Sequence, residues 1–322
     1  MNSYSLLFFS GAEISLPLLR ALVHNPQFKI CGVICQPDKP SGRNMEMKCP
    51  APKILAEKFG IPVFQTEKLS SDTALLEHFT ENRPDIILTF AFGQLLNENW
   101  LNLPKKFALN IHASLLPKYR GASPISAAIL NGDEITGLSI MKMERTMDSG
   151  PVAFVHEIPI SPHMTTGLLH NELAEKAAQL IPDDLIKLME LSDEDTQKLF
   201  KKQDESLATY TKKLNREDGL IDFKDPAELI LKKFRAFTKW PGLYTFFNGK
   251  RLKFIDIESA KTDSVESILA PGEVKVQGKK VYIGTSDGSI LLKMLQMEGK
   301  ESVYMEQFLL GYPDFATTTL PF

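Results

Sequence analysis

An asparagine and a histidine two residues apart, Asn110 and His112, stand in the run FALNIHASLLPKYRGASPI, and an aspartate, Asp148, stands in the turn sequence MDSGP. Together these side chains suit acyl transfer to an amine. The amide N–H groups can donate to the oxyanion of a tetrahedral intermediate. The imidazole can move a proton or help polarise the carbonyl. The carboxylate can orient the imidazole, or take the amine's proton through water. No serine or cysteine in an elbow-type sequence accompanies them, so direct transfer fits better than a covalent intermediate. Each residue also has a plain structural use: a histidine hydrogen-bonded at a strand end, an asparagine closing a turn, an aspartate before Ser-Gly.

Such a trio needs rigid elements to hold it. Phe107, Leu109 and Ile111 alternate with Ala108, Asn110 and His112, which predicts a strand over 107–113 with amide and imidazole on one face at its carboxyl end. In doubly wound sheets that end is where ligands bind. Further strands are predicted over 5–10, 28–35, 85–91, 138–143 and 152–158, with helical patterns at 51–59 and 71–82. A helix opens at Ser123-Pro124 and ends at Asn131-Gly132. The alternation predicts an α/β domain with a doubly wound, mainly parallel, Rossmann-like sheet. Its first turn reads FFSGAEIS, which is neither a dinucleotide fingerprint nor a P-loop. A longer helix is expected from Thr165 or Thr166 to Ile181, and another from Asp183 to Leu191.

The polar run SDEDTQKLFKKQDES then reads as a linker. Beyond it, Asp225 as N-cap, Pro226 in the first turn and Glu228 announce a helix to Phe237. Asn248-Gly249, Gln277-Gly278 and Asp287-Gly288 mark hairpins, which predict a small OB-like β-barrel. The expected division is therefore 1–191 for the catalytic domain, 192–206 for the linker and 207–322 for the barrel.

The 322 residues carry 43% hydrophobic and 24% charged side chains, normal for a globular protein of two domains. No apolar run reaches the roughly 20 residues of a membrane span, and a strand begins almost at Met1, so a cytoplasmic protein is expected. Three cysteines, two of them inside the apolar strand FKICGVIC, form neither a disulfide framework nor a metal-ligand spacing; buried, reduced thiols are expected and no metal. A net charge of −3 gives no global reason to bind nucleic acid. Yet Lys232, Lys233, Arg235, Lys239, Lys250, Arg251 and Lys253 follow one another with no acidic residue among them, the pattern of a phosphate footprint or of a solvated surface.

ALNIHASLLPKYRGASPI and MDSGP resemble the two signatures of the folate-dependent formyltransferases, and the likeness is closest to the branch acting on methionyl-tRNA. QPDKPSGRNMEMKCPAPK resembles that branch's inserted loop, FAFGQLL its strand-end motif near the folate pocket. ATYTKKLNREDGLIDF, RAFTKWPGLYTFFNGKRLKF and MEQFLLGY resemble its C-terminal domain. The resemblance implies Asn110, His112 and Asp148 as the catalytic trio. It implies folate contacts at Ser114, Leu115, Leu116, Pro117, Phe92 and Gly93. The donor would be 10-formyltetrahydrofolate and the acceptor the α-amino group of initiator methionyl-tRNA. The basic segment above, with Arg43 and Lys48 of the inserted loop, would meet the tRNA, and the protein would act as a monomer. The chain departs from the family pattern at Ser10–Glu13, at Asn44–Met47, at Thr146 and at Phe92. Alternatives within the resemblance are a formyltetrahydrofolate hydrolase, a sugar-nucleotide formyltransferase, and a non-catalytic RNA- or folate-binding homologue.

Overall fold

The computed structural model describes residues 3–41, 45–260 and 269–321. The chain forms two compact units, one of Met1–Pro124, Ile135–Ile160 and Leu168–Lys212, the other of Ile125–Glu134, Ser161–Gly167 and Lys213–Phe322.

The first unit is built on a sheet of seven strands: β1 (Tyr4–Phe9), β2 (Phe28–Cys35), β3 (Val63–Gln65), β4 (Ile86–Phe90), β5 (Phe107–His112), β6 (Ile135–Lys142) and β7 (Val152–Pro159). Their order is β7-β6-β5-β4-β1-β2-β3. The five strands from β3 to β5 run parallel, and β6 and β7 add antiparallel at the other end. Leu6–Phe9 and all of β4 are buried, as expected of parallel strands covered on both faces. The Rossmann-like architecture is the one the alternation predicts. Two strands differ from expectation in detail: β3 was not predicted, and β6 begins at Ile135 rather than Leu138.

One other reading is corrected by packing. The helices expected on either side of Pro182 are one helix, α1 (Thr166–Glu190), with that proline inside it. An internal proline costs about 3 kcal/mol. Leu169, Leu173, Ala177, Ile181, Leu185 and Leu188 continue a buried stripe across it. Each buried leucine contributes about 1.5–3 kcal/mol, so Leu185 and Leu188 together offset the proline. The stretch 192–206, read as a linker, has regular structure of its own. It forms the helix Asp193–Leu199 and then a strap within the first unit.

The second unit carries an antiparallel sheet: β8 (Leu243–Phe247), β9 (Lys250–Ser259), β10 (Val274–Gln277), β11 (Lys280–Gly284), β12 (Ser289–Met297) and β13 (Ser302–Tyr304). The order is β8-β9-β12-β11-β10, with β13 beside β12. All three predicted turns fall between consecutive strands, and Asn248 and Gly249 both take positive φ, the conformation of a type I′ hairpin. Phe223, Leu252, Val281, Ile290, Leu295, Phe308 and Phe315 fill its core. The C-terminal tail runs between the outer strands: Val274 N–H donates to Thr318 O at 3.0 Å, and the Thr245 hydroxyl donates to Pro321 O at 3.0 Å. The helix Ala227–Ala236 is capped by Asp287, whose Oδ1 accepts from Ala227 N–H at 2.8 Å, and not by Asp225, which pairs with Lys233.

Candidate active site

β5 carries Asn110 and His112 to the carboxyl end of the sheet, where β6 faces them in register, Asn110 opposite Met141 and His112 opposite Ser139. Neighbouring β4 places Thr89 opposite Asn110, and its hydroxyl donates to Asn110 Oδ1 at 2.7 Å. A carboxylate, which only accepts, lies on the amide's other side, so the NH2 group is turned away from Thr89. It faces Asp148, with Nδ2 3.5 Å from Oδ1.

His112 is 6% exposed. Its Nε2 lies 2.9 Å from the backbone oxygen of Tyr119. A carbonyl only accepts, so Nε2 carries the hydrogen and the neutral ring's lone pair is on Nδ1. Nδ1 in turn stands 3.6 Å from Asp148 Oδ2. The trio read from the sequence is thus gathered in space, with the carboxylate between amide and imidazole.

Asp148 is reached through a tight loop. It has φ +51°, a left-handed conformation that aspartate tolerates better than most residues. Its Oδ2 accepts from Gly121 N–H at 2.8 Å. Gly121 has φ +111°, and a Cβ there would lie 2.3 Å from Thr211 O. At Gly150 a Cβ would lie 1.9 Å from Lys142 O, so the backbone can pass there only without a side chain.

The strap completes the loop's support. Lys201 pairs with Val152 at the start of β7, both backbone bonds being 2.8–2.9 Å. Gln203 Nε2 then donates to Asp148 O at 2.8 Å and to Gly150 O at 2.7 Å. Gln203 Oε1 accepts from Arg120 Nε and Nη2 at 3.1 and 2.9 Å. Arg120, only 1% exposed, also makes a two-pronged pair with Glu205 at 2.8 and 2.9 Å. The guanidinium holds the Glu205 carboxyl below its usual range. Tyr119 N–H donates to the Thr209 hydroxyl at 2.8 Å, and Tyr210–Thr211 pair in parallel with Arg120–Gly121. Thr89, Gly121, Arg120, Gln203 and Glu205 were not singled out in the sequence. Gly121 and Arg120 lie within the first signature, but nothing around Gln203 marks it.

Of the residues expected at a folate site, Leu115, Leu116 and Pro117 are half-buried just beyond β5. Ser114 is fully buried and turned inward, its hydroxyl donating to Lys118 O at 2.6 Å. Phe92 is buried too, its ring edge-on to Phe9 at 5.1 Å. Gly93, at φ +79°, closes the turn after β4. Of the basic residues, Lys48, Lys239 and Lys250 are exposed. Lys232 pairs with Glu228, Lys233 with Asp225, and Arg235 donates to Pro162 O. Asp225 just ahead of the helix and Glu228 in its first turn therefore neutralise part of the segment. Arg251 packs its guanidinium 4.9 Å over the Tyr244 ring. Arg43 lies outside the described residues.

Comparison with known proteins gives concordant results. A family model described as formyl transferase matches residues 5–185, and one described as formyl transferase, C-terminal domain, matches residues 213–313. A methionyl-tRNA formyltransferase of Geobacter sulfurreducens is 35% identical over 314 residues, 97% of this chain and 95% of that one. Another, of Dictyoglomus turgidum, is 38% identical over 311 residues, 95% of this chain and 96% of its own. Among solved structures, the N-formyltransferase from Helicobacter canadensis, in complex with folinic acid and dTDP-3-aminofucose, has a TM-score of 0.64 at 19% identity, covering 92% of this chain and 100% of that one. At that identity the likeness is one of fold.

Proposed function

This chain belongs to the formyl transferase family, and we propose that it transfers the formyl group of 10-formyltetrahydrofolate to the free α-amino group of initiator methionyl-tRNA, giving N-formylmethionyl-tRNA. The observation that carries the reading is a likeness to methionyl-tRNA formyltransferases at 35–38% identity that runs through both domains.

The geometry supports a direct transfer. The amine lone pair forms the new C–N bond to the formyl carbon while the carbonyl electron pair moves to oxygen. Collapse of the tetrahedral intermediate restores the carbonyl and breaks the bond to the folate N10, which takes up a proton as the attacking nitrogen loses one. Asn110 offers a hydrogen of its oriented NH2 group to the oxyanion. His112 exchanges its proton at Nδ1, because Nε2–H is committed to Tyr119 O. Asp148, beside both, stabilises positive charge on the imidazole and relays the amine's proton through water.

The turns after β4 and β5, Gly93 and Leu115–Pro117, hold the folate donor; Phe92 and Ser114 support those turns from within. Lys48, Lys239, Lys250 and Arg251, with Arg43 of the inserted loop, meet tRNA phosphates. Lys232, Lys233 and Arg235 join them by exchanging their present partners, a low cost for surface pairs. Such contacts position the tRNA without reading its sequence.

The test is formyl transfer from 10-formyltetrahydrofolate to charged methionyl-initiator-tRNA, to methionyl-elongator-tRNA and to no acceptor. Product on the initiator tRNA alone is expected. Deformylation without acceptor identifies a hydrolase, and folate binding with no turnover identifies a binding protein; either result refutes the proposal.

A further inference from the structure

The carboxylate of Asp148 is held from the side chain by Gly121 N–H, but its backbone is held from elsewhere. Two carbonyls of the loop, those of residues 148 and 150, both point at one amide group, Gln203 Nε2. That amide has one orientation available. Its oxygen is bound by two nitrogens of Arg120, which a flipped amide would meet donor to donor. Arg120 in turn is buried and fixed by Glu205. The chain Glu205–Arg120–Gln203 therefore ends on the loop that sets where the Asp148 side chain goes. It does so at a left-handed residue, where the backbone has little preference of its own to hold the position.

From this geometry we infer that Gln203 is a positioning residue for the reaction: by donating to the carbonyls of Asp148 and Gly150 it holds the catalytic carboxylate at its station between Asn110 and His112. The inference rests on the reading of Asp148 as the functional carboxylate. The strap is thereby part of the active site, although it lies more than fifty positions from Asp148 in the chain. A displacement of about 1 Å in a reacting constellation costs on the order of 10²-fold in rate.

The test is a mutant cycle of Gln203→Glu with Asp148→Asn. Glutamate keeps the length and keeps an acceptor for Arg120, but it turns two donations into two acceptor–acceptor contacts. In the otherwise native protein, a fall in kcat of about 10- to 100-fold is expected, with KM for the folate donor and for the tRNA within about threefold. In the Asp148→Asn background, Gln203→Glu should change the residual single-turnover rate by less than about twofold, because residues acting as a unit are non-additive. An unchanged kcat in the single variant, or an equal loss in both backgrounds, overturns the proposal. An Asp148→Asn variant with full activity instead overturns the reading of Asp148 on which it rests. Where Gln203→Glu does not fold, Gln203→Leu removes the same two donors without adding charge and carries the same expectations.

Discussion

Replacing Asp148 by asparagine removes one charge and, 3.5 Å from Asn110 Nδ2, exchanges an acceptor for a donor. The new side chain still accepts from Gly121 N–H, and asparagine tolerates the φ of +51° as readily as aspartate. The larger loss is the attraction between the carboxylate and a proton arriving at His112 Nδ1. At the observed 3.6 Å and an effective dielectric constant of about 20, that attraction is about 4.6 kcal/mol. The two side chains are 7% and 14% exposed, so solvent screens the pair weakly. Each 1.36 kcal/mol is tenfold in rate, which sets an upper bound of about 10³-fold. The amide dipole of asparagine recovers part of this, so a loss of about 10² to 10³-fold in kcat is expected. The assay is single-turnover formation of formylmethionyl-tRNA, with thermal unfolding and folate binding measured on the same sample. The midpoint should stay within about 2 °C of the parent, since the loop keeps its contacts. A fall of less than tenfold in a folded, folate-binding variant would refute the placing of the carboxylate against the imidazole as the source of its effect.

Asn110→Ala removes the oriented donor and should lower kcat about 10²- to 10³-fold while the folate affinity changes little; a stopped assay beside fluorescence titration with folate checks both. Arg120→Met leaves Gln203 Oε1 and Glu205 without a cationic partner and should destabilise the protein by about 2–3 kcal/mol, seen as a lower denaturant midpoint, with the exposed Glu205 keeping the cost below that of a fully buried pair. Burial pushes the Cys31 and Cys35 thiols up to about 11 each. Below that pH they stay protonated, so at pH 8 neither should react with a disulfide reagent in the native protein. Cys49, whose thiol donates to Asp38 at 3.3 Å, is raised as well and should react slowly. All three should titrate at once in denaturant, and fast native labelling of Cys31 or Cys35 would contradict their place in the sheet.

What the sequence by itself determined was local. Strand periodicity put Asn110 and His112 on one face and at the functional end of β5, because side chains alternate every residue in any strand. Turn chemistry marked the hairpins of the second unit, and Asn248, Gly249 and Gly278 take the positive φ that such tight turns ask for. Tertiary structure decided the rest, and each case has the same physical cause: a partner distant in the chain. The helix α1 runs through Pro182 because a buried stripe outweighs the local break. The helix at Ala227 takes its cap from Asp287 because that side chain arrives from another hairpin. The run after Leu191 is polar, and composition does not separate polar groups satisfied by water from those satisfied by protein. Here Gln203 and Glu205 find Arg120 and two loop carbonyls, so a stretch that reads as a linker is hydrogen-bonded to the Asp148 loop and to a buried arginine. Asp148 shows the boundary most clearly. Its residue type and its turn were legible; its position 3.6 Å from His112 exists only because the sheet, the turn after β6 and the strap fold together.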